Sequence, residues 1–350
     1  MRSSFALALG VVALILGAAC GGAEDPLEGA PDAGDGGHGL AGVHDDFKRD
    51  DRLKVATTVA PITSIVLNIG GNRVYIHGLI PDGVDSHTYE PRPSDAAVLS
   101  RADLLIMNGA SLEGTTEEIA KKNLPDPAKI YKLADNTLGT EDEATGFLYD
   151  FSFPRAAGKP NPHLWMNPKY ALRYAELTRD WLSESDPANA AYFAENYTRF
   201  AAILTELDGA IRTDSATVPP ANRKLLTYHD SWAYWAREYG WTVIGAIQPS
   251  DFSEPSAKDV ADLIKQIRAE KVPAIYGSEV FPSGVLQTIA KESGAAFEDQ
   301  LSDDEPPFAV DDKRHTFVGM LVEDMKVMFG RLGGNADTVA QLPVENSYVR

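Results

Sequence analysis

The sequence predicts an α/β protein with two lobes, each a mainly parallel sheet flanked by helices, joined by one long helix. Three observations predict this fold. The 350 residues exceed the usual size of one domain, and 44% of them are apolar, which is enough for two cores. From Leu53 onward, short apolar runs alternate with amphipathic ones, as expected of a parallel sheet with helices on both faces. One long helical pattern interrupts this alternation near the middle of the chain.

Residues 1–19 are predicted to be a signal peptide. One arginine precedes an apolar run, and small residues lead from it to Cys20. The run is too short to span about 30 Å of hydrocarbon. Because Cys20 is the only cysteine and ends the segment, the segment resembles a bacterial lipoprotein signal that is cleaved before a lipid-modified Cys20. This interpretation places the protein outside the cytoplasm, anchored to a membrane. An ordinary secretory signal followed by a free thiol is the alternative.

Residues 20–51 are rich in glycine and acidic residues and are predicted to form a flexible tether, because they cannot bury enough apolar surface to fold. The whole chain has a formal net charge of −19. Such a charge repels phosphate backbones, so nucleic acid is not expected as a partner. A single cysteine excludes an intramolecular disulfide and a thiolate zinc cluster. Any metal site must therefore use His, Asp, Glu or Asn.

The first α/β lobe is predicted over residues 52–183. Its buried strands are expected in the segments LKVATTVAPI, RVYIHGLI, DLLIMNG and AKIYKLA, with helices over Pro93–Ala102 and Leu112–Asn123. The second lobe is predicted over residues 216–334. Its strands are expected in RKLLTYHD, WTVIGAI and PAIYGSEV, with helices over Ser231–Tyr239, Ser256–Glu270 and Asp311–Arg331.

A linker helix is predicted over residues 184–215. Asp186 is a good N-cap and Pro187 suits the first helical position. Apolar residues then recur at steps of three and four for about 25 residues, which is roughly 37 Å of helix. A helix of this length that packs on both lobes would permit only small lobe motions. A long surface helix inside one domain is the alternative. Residues 335–350 are assigned to a C-terminal tail.

Three histidines lie directly after predicted strands or in turn-rich segments, where α/β proteins present ligand groups. They are His87 in VDSHTYEPRPSD, His163 in NPHLWMNP and His229 in TYHDSW. Their spacings of 76 and 66 residues exclude a local zinc finger, so a site that uses all three must be assembled from different loops. His77 is expected to be a hydrogen-bonded strand residue, and His315 is assigned no role.

The carboxylate that would complete such a site is expected in the acidic triplet Asp303, Asp304 and Glu305. Imidazole and carboxylate together suit divalent transition metals. Asp230 directly follows His229 and is predicted either to orient an imidazole as a neighbour of the ligands or to cap the helix after it.

An ordered set of motifs resembles the zinc- or manganese-type solute-binding lipoproteins of ABC importers. The matching segments, which together cover residues 53–334, are TTVAPI from Thr57, HTYEPRPSD from His87, NGASLEG from Asn108, NPHLWMNP from Asn161, YHDSWAYWAREYG from Tyr228 and IYGSEVFPSGVLQTIAKESGA from Ile275. The resemblance implies a two-lobed receptor that binds Zn²⁺, or else Mn²⁺, between the lobes and delivers it to a membrane permease. It also implies a monomer.

The resemblance further implies a ligand set of His87, His163 and His229, with Asp304 as the fourth ligand. A slip of one residue would give that role to Asp303 instead. The histidine-rich loop of many zinc-specific members is absent between Thr137 and Pro160, which leaves manganese open.

No catalytic residues are predicted, and the protein is not expected to be an enzyme. A zinc hydrolase is the first alternative, but four protein ligands would leave no open position for water. A surface adhesion lipoprotein on the same scaffold is the second alternative.

Overall fold

The computed structural model describes residues 51–138, 146–248, 253, 255–278 and 284–349, without the side chains of residues 299 and 300. These residues belong to one compact unit. The predicted signal peptide, Cys20 and nearly all of the predicted tether lie outside the described residues. No helix in the described part of the chain is both long and apolar enough to cross a membrane.

The first lobe contains a parallel four-stranded sheet with the strand order β2-β1-β3-β4. Val55 of the central strand β1 pairs with Ile76 of β2 and Leu104 of β3. Each predicted strand is present, in the predicted order. The elements are β1 (Leu53–Thr57), α1 (Ala60–Gly70), β2 (Val74–Gly78), α2 (Pro93–Leu99), β3 (Leu104–Met107), α3 (Gly114–Asn123) and β4 (Ile130–Lys132).

The second lobe repeats this arrangement with the strand order β6-β5-β7-β8, again all parallel. Its last strand, β8, lies at the edge of the sheet and was not predicted, since the sequence AFEDQL has no continuous apolar run. The elements are β5 (Lys224–Thr227), α6 (Ala233–Tyr239), β6 (Thr242–Ala246), α7 (Ala257–Glu270), β7 (Ala274–Ser278), α8 (Gly284–Ser293), β8 (Ala296–Leu301) and α9 (Phe317–Arg331).

Two long helices lie between the sheets in the chain: α4 (Pro168–Ser185) and α5 (Ala190–Ser215). The predicted linker helix corresponds to α5, but it begins six residues later than residue 184. Asp186 ends α4, and one 3₁₀ turn over Pro187–Asn189 precedes α5. The break occurs at Pro187 because proline has no N–H to continue the hydrogen bonds of α4.

Helix α5 buries a stripe of apolar side chains. Phe193, Phe200, Leu204, Leu207 and Ile211 are all at most 1% exposed, at the spacing that the sequence predicts. They join an apolar cluster that also includes residues of both sheets, such as Val55 and Leu225. The two sheets therefore share one core through α5.

Each sheet also packs helices on its other face. In β3, Leu104 and Ile106 face the shared core, whereas Leu105 and Met107 face a separate cluster with α2 and α3, because successive side chains of a strand point to opposite faces. A third cluster occupies the corresponding face of the second sheet. This layering is the two-lobed α/β architecture that the sequence predicts.

The C-terminal tail returns to the first lobe. The carboxylate of Asp214 in α5 accepts the backbone N–H groups of Thr338 and Val339, both at 2.9 Å. Farther along, Ser347 N–H donates to Asn68 of α1 at 2.8 Å. The tail therefore connects the end of the second lobe to α5 and to the first sheet's helices.

Candidate metal centre

The three candidate histidines and the acidic triplet lie in loops that follow strands. His87 is in the loop after β2, and His163 is in the segment between β4 and α4. His229 comes two residues after β5, and Asp304 comes three residues after β8. The carboxyl ends of parallel strands in both sheets thus supply the site, as is usual in open α/β sheets.

These four residues converge. One ligand atom from each of His87, His163, His229 and Asp304 can be chosen so that all four atoms lie within 4.8 Å of one another. His87 Nε2 lies 3.1 Å from His163 Nε2 and 2.8 Å from His229 Nε2. His163 Nε2 lies 4.0 Å from Asp304 Oδ1. Ligand atoms around a tetrahedral zinc ion are about 3.3 Å apart, given bonds of about 2.0 to 2.1 Å, so the spacing matches such an ion.

Three of the four candidate ligands are buried. His163 and His229 are fully buried, and Asp304 is 5% exposed, whereas His87 is only half-buried. A cavity of about 70 Å³ adjoins His87 and is also lined by Ser111, Phe153 and Lys159. Of the four candidate ligands, His87 is the one that lines this cavity.

Asn161 orients the ring of His163. Its Oδ1 lies 2.7 Å from His163 Nδ1 and also accepts the His163 backbone N–H. Asn161 Nδ2 in turn donates to the backbone oxygen of Asp230 at 2.7 Å. Because Nδ1 is held in this way, Nε2 faces the other ligand atoms. Sequence reasoning missed Asn161, although its place two residues before His163 was a usable signal.

Asp303 lies behind His229, on the side away from the other ligand atoms. Its Oδ2 is 3.2 Å from His229 Nδ1 and accepts the hydroxyl of Ser231. Trp165 Nε1 donates to the Asp303 backbone oxygen at 2.8 Å. The adjacent Asp304 instead belongs to the converging group, and the unpredicted Ser86 donates to its Oδ2 at 2.9 Å.

Asp230 lies near a different carboxylate. Its Oδ2 accepts the backbone N–H of Ser152 at 2.9 Å. Burial and the charge of Asp230 raise the pKa of Asp150 to about 9. The carboxylate beside His229 Nδ1 is that of Asp303, and Asp230 contacts the ligand groups through its backbone oxygen, which accepts Asn161 Nδ2. Asp230 does not cap the next helix, since α6 begins at Ala233 after Trp232.

Burial and neighbouring charges set the protonation of the histidines. Burial, and next the charge of His229, hold the pKa values of His87 and His163 well below the usual range. Burial alone would lower the pKa of His229, but the charges of Asp303 and Asp304 raise it to about 10. Two imidazoles are therefore neutral at pH 7, which is the form that binds metal.

His77 and the aromatic residues next to the motifs belong to a strand or to the core. His77 is 6% exposed within β2, as expected. The aromatic residues next to the motifs, Tyr89, Trp165, Trp232 and Trp235, are buried in the shared core.

Comparison with known proteins agrees with this geometry. The family model described as zinc-uptake complex component A, periplasmic, matches residues 55–328. The chain belongs to this family. The resemblance inferred from the sequence motifs is thereby confirmed.

Relatives in this family include proteins named for different metals. The manganese ABC transporter substrate-binding lipoprotein PsaA of Streptococcus pneumoniae is 26% identical over 243 residues, which are 69% of this chain and 77% of PsaA. The iron-binding protein YfeA of Yersinia pestis is 27% identical over 246 residues, which are 70% of this chain and 76% of YfeA.

The solved structure of the periplasmic zinc-binding protein TroA from Treponema pallidum has the same fold. Its TM-score is 0.72 at 26% identity, over 81% of this chain and 99% of TroA. The predicted two-lobed fold is confirmed by this match. Because family members are substrate-binding components of ABC transporters, the chain is an extracytoplasmic metal-binding protein of this type and not an enzyme.

Proposed function

We propose that this protein is a lipid-anchored receptor that binds one zinc ion between its lobes and delivers it to an ABC permease. The observation that carries the proposal is the convergence of His87, His163, His229 and Asp304 to within 4.8 Å. In this proposal the four side chains are the ligands, and Asp303 and Asn161 hold two of the rings in place.

Zinc is favoured over manganese because of the donor set. Three imidazoles and one carboxylate suit tetrahedral zinc, whereas manganese prefers more oxygen ligands and a higher coordination number. The relatives named above differ in their metals, so the family alone does not select one. Four protein ligands also leave no position for an activated water, in keeping with transport rather than hydrolysis.

Calorimetric competition between zinc and manganese on metal-free protein tests the choice of metal. We expect tighter zinc binding, and tighter manganese binding would overturn the preference. His87→Ala should weaken zinc binding by more than about 100-fold, since it removes a direct ligand from the half-buried side. His44→Ala, which changes a histidine that is not among the proposed ligands, is the control and should bind zinc at the principal site as the unmodified protein does.

The lipid anchor is proposed at Cys20. Labelled palmitate should enter the protein and should fail to enter a Cys20→Ser variant. Equal labelling of the two proteins would contradict the anchor. The import role is tested separately, by growth of a deletion strain under chelation. Restoration by added zinc supports import, and the absence of any chelation phenotype would favour the adhesion alternative.

A further inference from the structure

A second group of metal-ligand side chains lies on the Asp304 side of the candidate metal centre. Asp82 is in the loop after β2, Glu305 follows Asp304 directly, and His315 precedes α9. The first lobe thus contributes one of these side chains and the second lobe contributes two. None of the three belongs to the four-residue group described above.

His315 is a buried histidine with one ring nitrogen unused. Its side chain is fully buried, and its Nδ1 lies 3.2 Å from the carbonyl oxygens of Pro307 and Phe308. Because Nδ1 faces two carbonyl acceptors and so carries a proton, Nε2 is the ring nitrogen that can bind a metal. Within the described part of the chain, Nε2 has no hydrogen-bond partner.

The lone pair of His315 faces a carboxylate across a gap. Nε2 lies 3.9 Å from Asp82 Oδ2, which is beyond hydrogen-bond distance. A metal ion placed about 2.1 Å from each of the two atoms can bridge this gap. An imidazole and a carboxylate are a suitable ligand pair for a divalent transition metal.

The carboxylate of Glu305 lies beside the loop that contains Asp82. It accepts the backbone N–H of Gly83, the residue after Asp82. Both acidic residues line a small cavity of about 10 Å³, which is room for roughly one water-sized sphere. Ser86 and Asp304 also line this cavity. The cavity therefore adjoins the two acidic residues of the second group and one proposed ligand of the first.

We propose that Asp82 and His315, with Glu305 in a neighbouring loop, form a second, weaker site for a divalent transition metal, next to the principal one. The site is weaker because the structure brings one pair of its ligand atoms together, His315 Nε2 and Asp82 Oδ2 at 3.9 Å, whereas the principal site brings four ligand atoms within 4.8 Å of one another. The inference goes beyond the proposed function, because the principal site needs none of these three residues.

Zinc titration of the metal-free protein, followed by calorimetry and equilibrium dialysis, tests the proposal. His38→Ala and His44→Ala are introduced first, so that histidines before Leu53 do not contribute. We expect two zinc ions per chain, one bound at least 100-fold more weakly than the other. Asp82→Asn and, separately, His315→Ala should weaken the second site at least tenfold and leave the first unchanged.

Two further variants distinguish a failure of the second site from a failure of the principal site. Asp312→Asn is the matched control, since that carboxylate is paired with Arg314 at 2.7 Å, and it should retain both sites. His163→Ala should lose the tight site and keep the weak one, so a failure of the proposed function is distinguishable from a failure here.

One zinc ion per chain in the parent protein would overturn the proposal, and Asp82 and His315 would then form only an ion pair. Two ions with unchanged affinities in Asp82→Asn would also overturn it. Because His315→Ala removes contacts of the loop before α9, Asp82→Asn decides the outcome if the histidine variant does not fold.

Discussion

Asp303 and Asp304 are neighbours in the chain with different surroundings. Both are at most 5% exposed, yet Asp304 faces His163 while Asp303 faces Nδ1 of His229. A carboxylate on the far side of an imidazole fixes the ring and increases its basicity as a ligand. The two residues are therefore expected to contribute unequally to metal affinity.

Asp304→Asn should weaken zinc binding by more than about 100-fold, because it removes the anionic ligand. Asp303→Asn should weaken it by about 10- to 100-fold, the usual effect of a residue that supports a ligand. Calorimetry on metal-free protein measures both values, with Asp312→Asn as the unaffected control. A larger loss in Asp303→Asn would show that the ligand role belongs to Asp303.

Glu113 is a buried acid at some distance along the chain from the proposed ligands. It accepts the hydroxyl of Thr58 at 2.6 Å and the backbone N–H groups of Asn108 and Gly109. Burial raises the pKa of Glu113 to about 7, although these donors oppose the shift. The folded protein therefore binds this proton more tightly than the unfolded chain does.

The stability that this proton contributes is fully present below about pH 4.5 and is lost as the pH rises through about 7. Between pH 5 and 7.5 the free energy of unfolding should fall by up to about 3 kcal/mol more in the unmodified protein than in Glu113→Gln. Urea unfolding of the metal-free protein at several pH values measures this change in the free energy of unfolding. Glu118→Gln changes a largely exposed glutamate, and its free energy of unfolding should depend on pH as that of the unmodified protein does. The same pH dependence in Glu113→Gln and in the unmodified protein would contradict the expectation.

At the scale of elements, α5 is held at its C-terminal end by the tail. Asp214 is 1% exposed, and its Oδ2 accepts two backbone N–H groups from residues 338 and 339. Removing a buried acceptor leaves its donors unsatisfied, and that costs more than the hydrogen bonds themselves contribute.

Asp214→Ala should therefore lower the free energy of unfolding by about 2 to 3 kcal/mol. Asp214→Asn should have a smaller effect, under about 1.5 kcal/mol, because its amide oxygen can still accept both N–H groups. Urea denaturation at constant pH compares the two variants. Equal losses would mean that the acceptor oxygen does not anchor the tail.

For the whole molecule, the shared core limits how the lobes can move. Phe193, Phe200 and Leu207 of α5 are fully buried in a cluster that also holds residues of both sheets. Hinge rotation would expose this apolar surface to water, at about 25 cal/mol for each Å². We therefore expect the proposed metal to bind with little change in the angle between the lobes.

The distance between the lobes should change by less than about 2 Å on zinc binding, below the shifts of hinge-closing proteins. Spin labels are attached at Lys121→Cys and Lys258→Cys, both at exposed positions, in a Cys20→Ser background. Pulsed electron paramagnetic resonance then measures the distance between the two labels. A His163→Ala protein treated with zinc is the control. A change of several ångströms in the parent alone would contradict the expectation.

Local pattern was enough to predict most elements, because each depends on the burial of a nearby apolar face. The stripe of α5 follows from residue spacing, and the four strands of the first sheet follow from short apolar runs. Strand β8 could not be predicted in this way, because its pairing with β7 overrides a polar sequence. The start of α5 was also misplaced, because a proline suits the first turn of a helix and equally well ends the helix before it.

The sequence by itself determined the α/β class, the long central helix and the three histidines, because these depend on periodicity and residue type. Only the tertiary structure decided which of two adjacent aspartates faces those histidines, and that Asp303 rather than Asp230 supports His229. It alone brought His315 and Asp82 together. Such placements depend on the side-chain directions of loops that lie far apart in the chain, and no local pattern encodes those directions.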